Sequence, residues 1–321
     1  MKILRIVASS GVGLLILAGC TGFSPPSARE VGVVAVTAMH ERAVAGFKEE
    51  MARLGYREGT NIRYLRQSAT RDMAKLSEYL EDFRRRRVSL VLALSIPAAA
   101  QAKKILQGSG IPIIAAPVFH PVEAGLVDSV ARPGGDMTGV QCGGSGAKAV
   151  EWLVKIVPRA RRIFVPVAKG DVSAAQSLEE VKRGARALGL DLVVQEVTDE
   201  QSLDQCLSSM PSTIDAIWLL NSPLLVSNAD HFAEAGQRRR RPVGSAAAQR
   251  VPGILVTYGQ DLFRTGQQAA RLADKVLRGA SAGGLPVETA DYFLKIDLRA
   301  AAAIGLDVPD HVLRQADFIV R

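Results

Sequence analysis

The chain has 321 residues, of which 48% are hydrophobic, 22% charged and 5% aromatic. That length suits about two domains of the usual ~100–200 residues, and the composition is that of a globular fold with an Ala/Val/Leu core, which excludes disorder, collagen and a coiled coil. Forty Lys and Arg against 32 Asp and Glu give +8, three cysteines are too few for a disulfide scaffold, and four scattered histidines argue against a His-built metal site.

Lys2 and Arg5 form a short positive start, and Ile6 to Ala18 follow as thirteen mostly apolar residues without a charge. A membrane span needs roughly 20 apolar residues, so this run suits the apolar region of a signal peptide instead. It ends Leu17-Ala18-Gly19-Cys20, which resembles a lipobox, the bacterial lipoprotein signal. The resemblance implies that residues 1–19 are removed and Cys20 is acylated. The competing reading is an ordinary signal peptide with an incidental cysteine. Residues 20–30, with Pro25-Pro26, then read as a tether between lipid and fold. The fold is expected on the extracytoplasmic (periplasmic) side, held to the membrane through Cys20. Past residue 19 the charge is +6, the +8 less Lys2 and Arg5. Outside the cytoplasm that charge meets no nucleic acid.

Val31 to Val36 is a β-rich apolar run that fits a strand buried on both faces. Val44, Phe47, Met51 and Leu54 recur at helical steps up to Gly55. Ile62 to Leu65 reads as a strand, Met73 to Arg86 as a helix with Leu76, Leu80 and Phe83 on one face, and Val88 to Leu94 as a strand. Pro97 to Leu106 reads as a helix and Ile111 to Ala115 as a strand. This alternation predicts βαβ units and a parallel sheet.

The pattern restarts near Gly146. Helices over 147–156, 174–188, 202–210 and 225–238 alternate with strands at 163–167, 190–194, 214–220 and Val243. Glycine-rich Val140 to Gly146 reads as a hinge between two open α/β lobes. A strand at 254–257 and an amphipathic helix over 262–277 follow, and late segments of this kind return to the first domain. The expected division is 31–141 with about 259–281 for the N-terminal lobe, and 142–258 with about 282–321 for the C-terminal lobe.

Two tetra-arginine runs, Arg84 to Arg87 and Arg238 to Arg241, each end a predicted helix. Cations there complement the helix dipole, about 0.3–1 kcal/mol each when exposed. An anionic membrane surface is the sharper alternative. No G-x-S-x-G elbow, P-loop, H-E-x-x-H or C-x-x-C is present, and nothing points to a cofactor. His40 and His120 follow predicted strands but lack a placed carboxylate, so they are weak evidence of catalysis. Cys142 and Cys206 read as buried small apolar residues rather than a bridge.

From Cys20 onward the chain resembles the ABC transporter substrate-binding protein family of the aromatic-amino-acid type, a type I periplasmic-binding fold. The resemblance rests on Gly46-Phe47 through Leu54-Gly55-Tyr56-Arg57-Glu58-Gly59-Thr60-Asn61-Ile62, then Pro97-Ala98-Ala99, Ile111-Pro112-Ile113 and His120 to Val127. Ala131-Arg132-Pro133-Gly134-Gly135-Asp136-Met137-Thr138-Gly139-Val140 is its most specific piece. Gly259-Gln260-Asp261 with Gly266, and Leu285-Pro286-Val287-Glu288-Thr289, complete it. The resemblance implies two Rossmann-like lobes that close about a hinge on a small ligand, possessing no enzymatic activity, with an ABC permease of the inner membrane as partner. It departs from the family at three strand ends: Ser245-Ala246-Ala247-Ala248-Gln249 where relatives carry acidic and polar groups, Phe119-His120-Pro121 for Thr-Asp-Pro, and Val167-Ala168-Lys169-Gly170-Asp171 for Asn-Pro. The lost acidic groups weaken recognition of an α-amino group.

Ligands of open α/β sheets bind beyond the carboxyl ends of the strands. In the first lobe this selects Thr37, His40, Ser95, Pro97, Phe119 and His120. In the second it selects Asp171, Asn221, Ser222, Ser245, Gln249 and Tyr258. Ser95 can cap its helix or offer its hydroxyl, with nearby N–H groups, to a ligand. Tyr258 could stack on a ligand or cover it. Strand ends also collect turn and cap residues, which is the bland reading of each. Three functions compete: a lipid-anchored solute receptor of an ABC importer; a non-transporting envelope lipoprotein, sensor or assembly partner, that keeps the fold with a filled cleft; and, weakest, an enzyme such as a hydrolase, for which the sequence shows no base paired with a nucleophile.

Overall fold

The computed structural model describes residues 28–66, 70, 72–247 and 252–321. The signal segment, Cys20 and Gln249 lie outside the described residues.

The first lobe opens with β1 (Arg29–Ala35), α1 (Glu41–Arg53), β2 (Ile62–Arg66), α2 (Met73–Arg86), β3 (Leu90–Leu94), α3 (Ile96–Leu106), β4 (Ile113–Phe119) and β5 (Met137–Cys142). The second follows with α4 (Ser145–Ile156), β6 (Arg162–Ala168), α5 (Val172–Leu188), β7 (Asp191–Val197), α6 (Glu200–Ser208), β8 (Ala216–Leu219), α7 (Pro223–Ser227), α8 (Ala229–Arg239), β9 (Val243–Ser245) and β10 (Val256–Gln260). The chain ends with α9 (Leu262–Leu277), β11 (Glu288–Thr289), β12 (Tyr292–Asp297), α10 (Leu298–Ile304), α11 (Asp310–Leu313) and β13 (Phe318–Val320).

The strands form two sheets, ordered β11-β5-β4-β3-β1-β2 and β13-β12-β10-β9-β8-β6-β7. Pairing is parallel except between β10 and β12. Strand β3 is buried at every position because helices cover both faces of the sheet. On one face Val44, Phe47 and Met51 of α1 meet Ala269, Leu272 and Ala273 of α9. On the other Leu76, Leu80 and Phe83 of α2 meet Ala98, Ala102 and Leu106 of α3. The second lobe has its own core around Phe164, Trp218 and Phe232.

Helices α1 and α9 touch backbone to backbone. A Cβ on Gly46 would stand 1.9 Å from the Phe263 carbonyl oxygen, and one on Gly266 would stand 2.0 Å from that of Ala43. Only glycine lets the two helices approach this closely.

The chain passes between lobes at 142–145, 260–262 and 289–292. The third passage lies later than expected from sequence: Glu288 and Thr289 pair with Val140 and Gln141 in the first sheet. The first and third passages are stitched together. The Gly143 N–H donates to the Tyr292 hydroxyl at 2.8 Å, and that hydroxyl donates to the Gly143 carbonyl at 2.8 Å. Gly143 and Gly144 hold φ of 119° and 84°, left-handed backbone that glycine adopts freely.

Both tetra-arginine runs lie where their helices end and a strand begins, the sheet edge opposite the carboxyl ends. Arg84 pairs with Glu81, and Arg85 and Arg86 pair with Asp82. Arg239 and Arg241 donate to the carbonyls of Ser208 and Ser212. These arginines are bound to their own lobes, in keeping with the helix-end reading.

Candidate functional site

The carboxyl ends of β1, β3 and β4 face those of β8, β9 and β10 across a cavity of about 460 Å³. That is the size range of a small-ligand site. The first lobe contributes Thr37, His40, Ser95, Pro97 and Phe119, and the second contributes Asn221 and Ser222. Seven of the residues selected from strand ends thus share one cavity.

Ser95 occupies the N-cap of α3 with φ 100° and makes no side-chain cap bond. Its hydroxyl is buried without a partner. A non-glycine residue held at positive φ is strained, and such strain gathers at functional positions. The Thr37 hydroxyl lies 3.2 Å from Nδ1 of His40. Burial lowers the pKa of His40, against an opposing hydrogen bond with the Thr37 backbone, so the imidazole is uncharged at neutral pH. The Asn221 N–H donates to the Ser177 hydroxyl at 3.2 Å, which fixes the turn after β8.

The other selected residues stand behind or beside the wall. Asp171 caps α5, accepting from the N–H groups of Ser173 and Ala174, and takes a hydrogen bond from the Ser222 hydroxyl at 2.7 Å. It braces a wall residue. Ser245 is buried; its hydroxyl donates to the Leu219 carbonyl and accepts from the Ala247 N–H. Tyr258 lies in an aromatic row, its ring centroid 6.5 Å from that of Trp152 and 5.8 Å from that of Tyr292. His120, at φ 43°, sits at the first lobe crossing with Nε2 3.9 Å from Oε1 of Glu180.

Sequence reasoning missed three polar wall residues, Ser173, Ser227 and Gln260. Strand β10 runs to Gln260 rather than stopping at Thr257, so its polar end residue is Gln260 and not Tyr258. Gln260 is buried and its Oε1 has no partner. Ser173 sits in the first turn of a helix expected to start later. Glu180 was also missed: from α5 it accepts from the N–H groups of Gly144 and Gly146, holding the start of α4.

Among the described residues no group of three His, Cys, Asp or Glu is placed to hold a metal ion. Cys142 and Cys206 are free and buried. Burial pushes the Cys206 thiol up to about 11 and the Cys142 thiol further. No described helix is long and apolar enough to cross a membrane.

Comparison with known proteins places the chain among binding proteins. It is 27% identical over 305 residues to a tyrosine-binding protein of Clostridioides difficile, covering 90% of this chain and 88% of that one. Its fold superposes on the ABC domain of a Streptococcus pneumoniae protein in complex with L-Trp, with a TM-score of 0.78 and 22% identity over 92% of this chain and all of that one. It also superposes on the ligand-free, open structure of a Clostridium difficile substrate-binding protein with adhesive properties, with a TM-score of 0.79 and 25% identity over 91% and 99% of the two chains. The family model described as ABC transporter substrate binding protein matches residues 31–320, and with its two facing parallel-dominated lobes this chain belongs to that family.

Proposed function

We propose that this protein is the lipid-anchored, extracytoplasmic solute receptor of an ABC importer. Its lobes close about the glycine passage on a small ligand, and a permease in the inner membrane engages the closed form. The observation that carries this reading is the 460 Å³ cavity into which strand ends of both lobes converge. Room for a guest between two bodies joined by short crossings is what a closing receptor needs. Closure requires a ligand that binds the closed form better than the open one. The relatives that bind tyrosine and L-Trp support a guest with an aromatic-sized apolar body. The Leu-Ala-Gly-Cys20 sequence supports anchoring.

The competing reading, a non-transporting envelope lipoprotein, expects the cleft to be filled by Ala246 to Ala248 and large side chains. The open volume favours the receptor.

The test is a thermal-shift screen of the chain from residue 21 onward against a broad metabolite library. A true ligand at a hundred times its Kd stabilises by about 2.7 kcal/mol through mass action. Small-angle scattering with that ligand should show a smaller radius of gyration. A flat response across the library sinks the receptor reading. Anchoring is tested separately, by loss of incorporated palmitate in Cys20→Ser.

A further inference from the structure

Among the described residues the wall of the cleft carries no charged side chain. Among the described residues its lining is apolar side chains (Val36, Phe119, Leu262 and their neighbours) interspersed with hydroxyls, two amides and one histidine. His40 is kept uncharged by burial.

Three carboxylates near the cavity are engaged elsewhere. Asp171 accepts from two backbone N–H groups and from Ser222. Asp261 caps α9 and lies 3.6 Å from Arg42. Glu180 holds two glycine N–H groups and borders a side recess of about 20 Å³, room for roughly one water. An ammonium group entering this cleft would be stripped of water and would meet only neutral acceptors, and a buried charge without a counter-charge is strongly disfavoured.

Two polar atoms do wait for a partner. Gln260 is 8% exposed, and its Oε1 has no hydrogen-bond partner. The Ser95 hydroxyl is likewise unpaired at the start of α3. An O–H of a ligand satisfies the first, and either a neutral or an anionic oxygen satisfies the second. Buried polar groups left empty of partners mark where a ligand's own polar groups belong.

From this we infer that the cleft takes a solute with an apolar, ring-sized body and hydroxyl or carboxyl groups but no ammonium group, and that it discriminates against free amino acids. This rests on the cleft being the solute site.

The experiment is calorimetric titration of the chain from residue 21 onward with four compounds sharing one phenol ring: tyrosol (neutral), 3-(4-hydroxyphenyl)propanoate (anionic), tyramine (cationic) and L-tyrosine (zwitterionic). The expected result is that tyrosol, the propanoate or both bind at least tenfold more tightly than either amine. Which of the two wins tells whether the head group is neutral or anionic. Tighter or equal binding of L-tyrosine or tyramine overturns the inference and leaves the receptor reading standing. Absence of binding by all four at 1 mM also overturns it, and the receptor reading is then judged by the metabolite screen. Asn221→Asp, an isosteric change that places a carboxylate on the wall, is expected to raise tyramine affinity at least tenfold while the unliganded melting temperature stays within a few degrees. No gain in a folded variant counts against the inference.

Discussion

Ser222 and Asp171 meet across 51 residues of sequence: the serine hydroxyl donates to Oδ2 of the aspartate at 2.7 Å, while Oδ1 caps α5. One carboxylate therefore sets both the start of a helix and the rotamer of a buried hydroxyl in the cleft wall. Asp171→Ala removes both. Loss of the cap costs about 1 kcal/mol of stability. Ser222, 1% exposed, also loses its acceptor, so ligand-induced stabilisation should fall more than the cap alone explains. Urea denaturation with and without ligand separates the two effects. A variant that loses stability but keeps full ligand response refutes the bracing role.

Glu180 holds the passage between lobes through the N–H groups of Gly144 and Gly146. Glu180→Ala leaves those donors without a partner, at about 1–3 kcal/mol for each one that stays buried. Glu180→Gln keeps one acceptor oxygen and should cost less. The order wild type, Gln, Ala in urea midpoint is the expected outcome. Equal midpoints for Gln and Ala would show that the acceptors do not matter there.

The glycine contact between α1 and α9 has no slack. Gly46→Ala and Gly266→Ala each push a methyl to about 2 Å from a carbonyl oxygen. The helices must separate, which costs about 1–3 kcal/mol or more. Gly284→Ala is the control, since its Cβ would meet only Ser281 Cβ, at 3.8 Å. Thermal unfolding should fall for the first two and hold for the third.

His231 links α8 to α6 through Nδ1 and the Asp204 carboxylate at 2.5 Å. Burial pulls its pKa down, but the hydrogen bond and charge of Asp204, with Asp230 and Glu200, raise it overall. The folded state thus holds the proton more tightly than the unfolded chain, whose histidine titrates near about 6.5. The stabilisation is complete below that value and disappears as pH rises through the folded pKa. His231→Gln should melt below wild type at pH 5.5 and match it by pH 8.5. A gap of constant size across that range rules the linkage out.

Legibility in the sequence followed the range of the forces involved. Helices α2 and α9 begin and end where their apolar periodicity says, each started by an aspartate cap, Asp72 and Asp261. Strand-end reasoning found seven cavity residues because parallel sheets put their carboxyl ends together. What stayed hidden depends on distant partners. Thr289 joins the first sheet through Gln141, almost 150 residues earlier, and no local pattern encodes that pairing. Strand β10 gains its last residues from antiparallel pairing with Tyr292 and Phe293. The helix expected over 225–238 divides at Asn228, whose amide donates to the Leu224 carbonyl. Beyond residue 282 the elements are too short for periodicity to speak, so β12, α10, α11 and β13 had no signal.

The place of α9 in the chain bears on how the protein is made. The apolar stripe of α1 is covered by a helix encoded more than two hundred residues later, after nearly all of the second lobe. A nascent chain halted near residue 250 lacks the helix that closes over Phe47 and Met51 on the side away from the sheet. Neither half can finish alone, and maturation waits for the last quarter of the polypeptide to emerge.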